Sequence, residues 1–290
     1  MKEALIDEAY LDAAIPRRAP KTHKDHYGRV LAVCGAVGYT GAPYFAVQAA
    51  VRTGTGVVTL CTPEPVYPIL AGKLNEPVIY PVACNSAGQL NPIGAEQALA
   101  RMGAPSAMLV GCGLGRSEET TAAVMLLLRH AECPVIVDAD GINALVGHID
   151  VLRSMRAPVI LTPHRGEFAR LTGQSNAGEP EARQFAEKTG AIVLLKSHRT
   201  AVFSPDGQLY RNTTGNPGMS KAGSGDVLAG ILLSLCGQGL PPLSAACAGA
   251  YLHGAAGDRC ANEIGEYGMT PTDLLDAIPK VLRRYNSREW

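Results

Sequence analysis

Near its last third the sequence reads Asn212-Thr-Thr-Gly215-Asn216-Pro217-Gly218-Met219-Ser-Lys-Ala-Gly223-Ser224-Gly225-Asp226 and then turns apolar. Gly223-Ser224-Gly225 opens a helix-like run. Free backbone N–H groups and the helix dipole favour an anion there, and glycine lets a phosphate approach the chain. Asp226 falls in that first turn, where its carboxylate could accept a proton from a substrate hydroxyl as that oxygen attacks phosphorus. The plainer assignment is a cap, with Asp226 or Ser224 closing the helix for ~1 kcal/mol. The long approach segment, with Asn216 and Gly223 as further candidates, is more than a cap requires.

A second set is Thr162-Pro163-His164-Arg165-Gly166-Glu167. Here the imidazole of His164 would lie over a substrate and Glu167 would hold Mg²⁺, directly or through water, as suits an ion that keeps much of its hydration. The same His-x-x-Glu spacing also describes a capped helix start. Asp138 and Asp140, in Asp138-Ala139-Asp140-Gly141-Ile142-Asn143, compete for the metal, and Asn143 is a further polar candidate. Lys196-Ser197-His198-Arg199-Thr200 spans a strand end and turn where cations could meet phosphate, although a solvated charged turn produces the same string. Two familiar nucleotide motifs fail on spacing. Arg116 stands where Gly111-x-Gly113 would need its third glycine, and Gly72-Lys73 is followed by Leu74 rather than Ser or Thr.

These groups need strands to carry them. Short β-rich apolar runs recur at Val30–Ala36, Val57–Thr62, Val78–Val82, Ala107–Gly111, Val135–Asp138, Val159–Thr162 and Ile192–Lys196, with helix-like stretches between most of them. The alternation predicts an α/β fold: a mainly parallel sheet with helices on both faces, and ligands beyond the carboxyl ends of the strands. Pro205-Asp206-Gly207 predicts a late β-hairpin, Thr200–Ser204 with Gln208–Asn212, that closes the sheet. Helices follow at Gly225–Cys236, Leu243–Asn262 and Thr272–Tyr285, and the Ala/Gly-rich AACAGAYLHGAAG suits close helix packing. No linker divides residues 1–290, so one domain is expected, with residues 1–23 as an extension that could be a packed helix, an oligomer contact or a loose arm.

Composition narrows the partners. Lys plus Arg and Asp plus Glu both number 26, so no global field gathers nucleic acid or a membrane surface, and small ligands are the expected partners. The acidic N-terminal stretch has no apolar core and no later run suits a membrane span, which reads as a soluble, cytoplasmic protein. Eight cysteines stand singly, several in apolar runs such as those of Cys34, Cys61 and Cys236, and read as reduced core residues. Neither they nor the seven histidines show zinc spacing.

Taken together, Lys24-Asp-His-Tyr-Gly28, Gly38-Tyr-Thr-Gly41-Ala42, Gly113-Leu-Gly115, Asp138–Leu145, Thr162–Glu167, Gly215–Met219 and Gly223–Asp226 resemble the ADP-dependent NAD(P)H-hydrate dehydratase family of the ribokinase-like superfamily. The resemblance implies a three-layer α/β/α fold and removal of water from hydrated NADH or NADPH, coupled to hydrolysis of ADP, or of ATP in some relatives. It implies that Ala42, Gly115 and His164 contact the hydrate, that Lys196, Ser197, His198, Arg199, Thr200 and Gly225 contact the adenine nucleotide, and that Asp226 meets the reacting hydroxyl. Many bacterial relatives carry an N-terminal epimerase domain for which 290 residues leave no room. The expectation is therefore a stand-alone dehydratase domain, a homo-oligomer by family habit, working beside a separate epimerase. Two rivals use the same glycine loop: an ATP-dependent kinase of a vitamin-precursor alcohol or sugar, and a non-catalytic nucleotide-binding protein.

Overall fold

The computed structural model describes residues 3–101 and 103–286, so the first two residues of the 1–23 extension lie outside the described residues. Ten strands form one sheet in the order β1-β10-β9-β8-β7-β6-β5-β2-β3-β4. They are β1 (Glu3–Ile6), β2 (Arg29–Val33), β3 (Val57–Pro63), β4 (Val78–Val82), β5 (Ala107–Val110), β6 (Val135–Val137), β7 (Val159–Leu161), β8 (Ile192–Leu195), β9 (Ala201–Phe203) and β10 (Leu209–Asn212). From β4 through β2 to β8 every pairing is parallel.

Strands β5 to β8 are apolar and buried at every position because both faces are covered. Val30, Ala32 and Cys34 point into a core shared with the helices Gly41–Thr53, Ser224–Gly237, Pro242–Ile264 and Pro271–Leu282. Leu31 and Val33 point the other way, toward Glu118–Arg129, Arg165–Thr172 and Glu179–Thr189. The result is the expected three layers. Seven of the eight cysteines are buried and Cys84 is partly so, as their apolar neighbours implied. Among the described residues no helix is long and apolar enough to cross a membrane.

Two expectations need correction. The hairpin is present as β9 and β10, but it does not close the sheet, because β1 adds to β10 in parallel register from Glu3↔Leu209 to Ile6↔Asn212. An exposed β10 edge offers unpaired N–H and C=O groups, and the N-terminal segment takes them. Fully buried Ile6 and nearly buried Leu11 anchor that segment, which continues as the helix Glu8–Ala14. Arg284 ties this helix to the C-terminal end through Glu8 and Asp12, and Tyr285 Oη donates to Asp12 at 2.6 Å. The second correction concerns the Ala/Gly-rich helix. Gly249 does face Ile231 and Leu232 of a neighbouring helix, but Gly254 and Gly257 face Thr214 and Met219 of the loop after β10.

Candidate active site

Strand order reverses between β2 and β5: the chain runs outward through β3 and β4, then returns to build β5 to β8 on the other side. Such a reversal opens a crevice beyond the strand ends. The loops after β2 and β5 meet there, Gly35 N–H donating to the Cys112 carbonyl at 2.9 Å. Ala42, at the start of the Gly41–Thr53 helix, lies against Gly113 so closely that a Cβ on that glycine would stand 3.0 Å from the Ala42 Cβ. Gly115 N–H donates to Asp140 Oδ2 at 3.0 Å, and Asp140 Oδ1 receives Arg116 Nε and Asn143 Nδ2, both at 3.1 Å. Arg170 Nε completes this rim at 3.2 Å from Asn143 Oδ1.

The next strands carry the charged groups. Asp138 follows β6 and is 1% exposed; its Oδ1 accepts from Thr162 Oγ1 at 2.7 Å and from Lys196 Nζ at 2.9 Å. Burial by itself would lower the Lys196 ammonium, but the carboxylates of Asp138 and Glu167 outweigh it and the net shift is upward. Ala139, between the two aspartates, has φ +50° and ψ −114°, a conformation alanine adopts only under compulsion from its surroundings. This kink separates two neighbouring carboxylates, one engaged by Lys196 and the other by Gly115.

Asp226 meets this group from the other layer. Gly223 is the N-cap of the Ser224–Gly237 helix, in the left-handed region at φ +99°, and no side chain caps that end. The simple capping role for Asp226 or Ser224 is therefore absent; Ser224 N–H donates to the Lys221 carbonyl at 3.2 Å, and the N–H groups of Gly225 and Asp226 remain available to a ligand. Asp226 lies with Cys112 and Asp138, one ligand atom of each within 4.8 Å of the others. Burial, then the Asp138 charge, push its carboxyl up to about 7, opposed by the Cys112 hydrogen bond and Lys196. Gly225 leaves the space beside it open: a Cβ there would point at Lys196 Nζ from 3.2 Å.

His164 is the N-cap of the Arg165–Thr172 helix. Its Nδ1 accepts from Gly166 N–H at 3.0 Å and Glu167 N–H at 3.2 Å, while Glu167 Oε2 accepts from His164 N–H at 2.9 Å. The capping arrangement that the spacing allowed is thus present, and it sets the ring. With Nδ1 engaged as an acceptor, neutral His164 carries its proton on Nε2 and offers a donor. The imidazole is half-exposed, so capping leaves it free to meet a ligand.

A cavity of about 750 Å³ joins these pieces. His164, Lys196, Ser197, His198, Thr200, Asn216, Gly223, Gly225 and Asp226 line it, whereas Ala42, Gly115, Asn143, Glu167 and Arg199 do not. Ala42, Gly115 and Asn143 belong to the adjoining crevice beyond β2 and β5, and Glu167 is buried behind His164. Sequence reasoning missed His253, whose ring also lines the cavity. Burial pushes it down to about 4, so it is neutral, and among the described residues its buried Nε2 has no hydrogen-bond partner. Its only sequence signal was a histidine inside an otherwise apolar helix.

Mg²⁺ prefers hard oxygen donors and keeps several waters. Asp138 Oδ2 and Asp226 supply such oxygens, while the Cys112 thiol between them is a poor donor for a hard ion. Both carboxylate oxygens of Asp140 are engaged, and buried Glu167 accepts from His164 N–H through Oε2, which stands 3.8 Å from Lys196 Nζ. The donor set fits one ion shared with phosphate oxygens.

A family model described as NAD(P)H-hydrate dehydratase matches residues 30–280. The chain is 45% identical over 284 residues to the bifunctional NAD(P)H-hydrate repair enzyme Nnr of Moorella thermoacetica, covering 96% of this chain and 54% of that protein. It spans about half the length of the first several curated relatives it matches. It is 38% identical over 251 residues to the ADP-dependent (S)-NAD(P)H-hydrate dehydratase of Neisseria meningitidis, covering 83% of this chain and 80% of that one. Among solved structures, the ADP/ATP-dependent NAD(P)H-hydrate dehydratase of Bacillus subtilis, co-crystallized with ATP/Mg²⁺, superposes with TM-score 0.84 at 31% identity, covering 98% of this chain and 99% of that one. The fold is the ribokinase-like one that the sequence motifs implied.

Proposed function

The chain belongs to the NAD(P)H-hydrate dehydratase family, and from that premise we propose that it converts hydrated NADH or NADPH, with ADP, into NAD(P)H, AMP and phosphate. The observation that carries this reading is the position of Asp226. It sits between the crevice of Ala42 and Gly115 and the cavity walled by Lys196, Ser197, His198, Thr200 and the glycine loop, with its carboxyl near 7.

The chemistry follows from that placement. Hydroxide is a poor leaving group, so the ring hydroxyl is first phosphorylated. Asp226 takes the hydroxyl proton as the oxygen attacks the terminal phosphorus of the nucleotide, and a carboxyl near 7 is matched to that task. Lys196 and the first-turn N–H groups of Gly225 and Asp226 hold the phosphate, and Ser197, His198 and Thr200 with Asn216 and Gly223 enclose the rest of the nucleotide. Ala42 and Gly115 shape the hydrate side, while Nε2–H of His164 donates to an oxygen acceptor. The ring nitrogen then expels phosphate and the neighbouring ring carbon gives its proton to the departing phosphate, which restores the dihydropyridine. The protein supplies positioning, charge stabilisation and one base. Mg²⁺, if held by Asp138 together with phosphate oxygens and, through water, by Glu167, would neutralise charge on the transferring phosphoryl group.

We place the protein in the cytoplasm, assign it a homo-oligomeric state, and expect an epimerase activity to supply the reactive epimer. The test is an incubation with NADH hydrate, Mg²⁺ and either ADP or ATP, following reduced-nicotinamide absorbance and phosphate together. Recovery that depends on nucleotide, one phosphate per NADH, is expected. No recovery, alongside stable phosphorylation of a vitamin-precursor alcohol, would assign the same site to a kinase.

A further inference from the structure

The loop of residues 213–223 carries Asn216 and Gly223 yet contains little regular structure, only the short turn Pro217–Met219. Ordering such a segment costs ~1–2 kcal/mol per residue, so a loop disordered before binding would weaken any ligand it grips. Here the loop is already held. It lies along one face of the Pro242–Ile264 helix, where residues about four apart stack above one another. Asn212 Nδ2 donates to the Ala250 carbonyl at 3.2 Å, and Thr214 Oγ1 donates to the Tyr251 carbonyl at 2.9 Å. One turn on, Gly254 makes room: a Cβ there would come within 2.2 Å of Thr214 Oγ1. Gly257 does the same for Met219 Sδ, again at 2.2 Å.

The rail ends in a charge. Asp258 Oδ2 accepts from Gly215 N–H at 2.9 Å and Oδ1 accepts from Asn216 Nδ2 at 3.0 Å. The same Asn216 uses its own Oδ1 to accept from Gly218 N–H at 3.1 Å, so one carboxylate sets the backbone at Gly215 and, through Asn216, the turn after it. Gly215 and Asn216 line the cavity; Asp258 does not. Both donors face it, and a carboxylate is the one side chain whose two oxygens can only accept.

We propose that Asp258 is a positioning residue, which builds the nucleotide-binding loop before the nucleotide arrives by bracketing Gly215 and Asn216. This rests on the cavity taking an adenine nucleotide, as argued above. The ordering is part of folding rather than of binding, and such preorganisation is read as affinity. The bond to Asn216 requires an acceptor, and Asp258→Asn puts an amide where one of two donors needs an oxygen. The shape is kept and the bracket broken.

The experiment is calorimetric titration of the full chain and of D258N with ADP and Mg²⁺, followed by steady-state kinetics in both co-substrates. We expect Kd for ADP to rise about tenfold or more, the range for a lost hydrogen bond to a charged group. KM for the hydrate should stay within about twofold and kcat at saturating ADP within several-fold. A purely structural role would reduce the binding stoichiometry through unfolded protein and leave Kd unchanged, and that result overturns the proposal. Should D258N fail to fold, Thr214→Val removes the Thr214–Tyr251 bond from the same loop; a weaker ADP Kd at full stoichiometry supports the proposal and an unchanged one overturns it. Failure of the unaltered chain to bind ADP overturns both this inference and the reading of the cavity beneath it.

Discussion

At the scale of single residues, the proposed chemistry turns on one carboxyl held near neutrality. Asp226 owes this to burial and to the Asp138 charge, with Lys196 and Cys112 pulling the other way. A base must be deprotonated to act, so kcat/KM for the hydrate is expected to fall about tenfold per pH unit below about 7 and to level off above it; a profile flat down to pH 5 would remove Asp226 from that role. Asp226→Asn should cut turnover by ~10²–10⁴ while ADP affinity stays within several-fold. The same substitution has a stability signature of opposite sign. A carboxyl raised in the folded state is penalised when charged: the penalty is absent below its ordinary value near 4, grows up to about 7, and is complete above that. D226N is therefore expected to melt higher than the unaltered protein at pH 8, by up to about 4 kcal/mol of stability, with the gain vanishing near pH 4. Denaturation at the two pH values checks it.

At the scale of elements, the site is made by what happens just past each strand. The turn at Ala139 stores strain so that Asp138 and Asp140 are engaged by different partners. Ala139→Gly should relieve it, a gain of ~1 kcal/mol after the greater flexibility of unfolded glycine is deducted, and turnover should fall if the strain helps hold Asp138. Urea denaturation and kcat measured together decide this. The turn also marks where sequence reasoning stops. Strands β2 to β8 were legible as short apolar runs, uninterrupted in β5 to β8 where both faces are buried, and Asp226 was legible because glycines announced a helix start beside it. The strain at Ala139 had no signal, since alanine does not advertise a positive φ. The Asp138–Lys196 bond joins residues 58 positions apart, brought together only by the adjacency of β6, β7 and β8.

At the scale of the whole molecule, the N-terminal segment is part of the structure that supports the site. Only one of the four β1 residues is buried, so no alternation marked it as a strand. Even so, Ile6 accepts from Thr213 Oγ1 at 2.8 Å, at the root of the loop of residues 213–223, and Leu11 packs at 1% exposure in the core of the Pro242–Ile264 helix layer. Leu11→Ala is expected to cost ~2–5 kcal/mol of stability while leaving Kd for ADP in the folded fraction unchanged, as thermal melting and titration would report. Two half-sites thus meet over one carboxylate, the crevice beyond β2 and β5 on one side and the cavity beyond β7, β8 and β10 on the other. The claim this arrangement makes is that the ring hydroxyl itself attacks phosphorus. The most direct measurement uses NADH hydrate labelled with oxygen-18 at that hydroxyl, ADP, and mass analysis of the phosphate released. The label is expected in phosphate, one atom per NADH formed; label found in water, with unlabelled phosphate, would contradict the account.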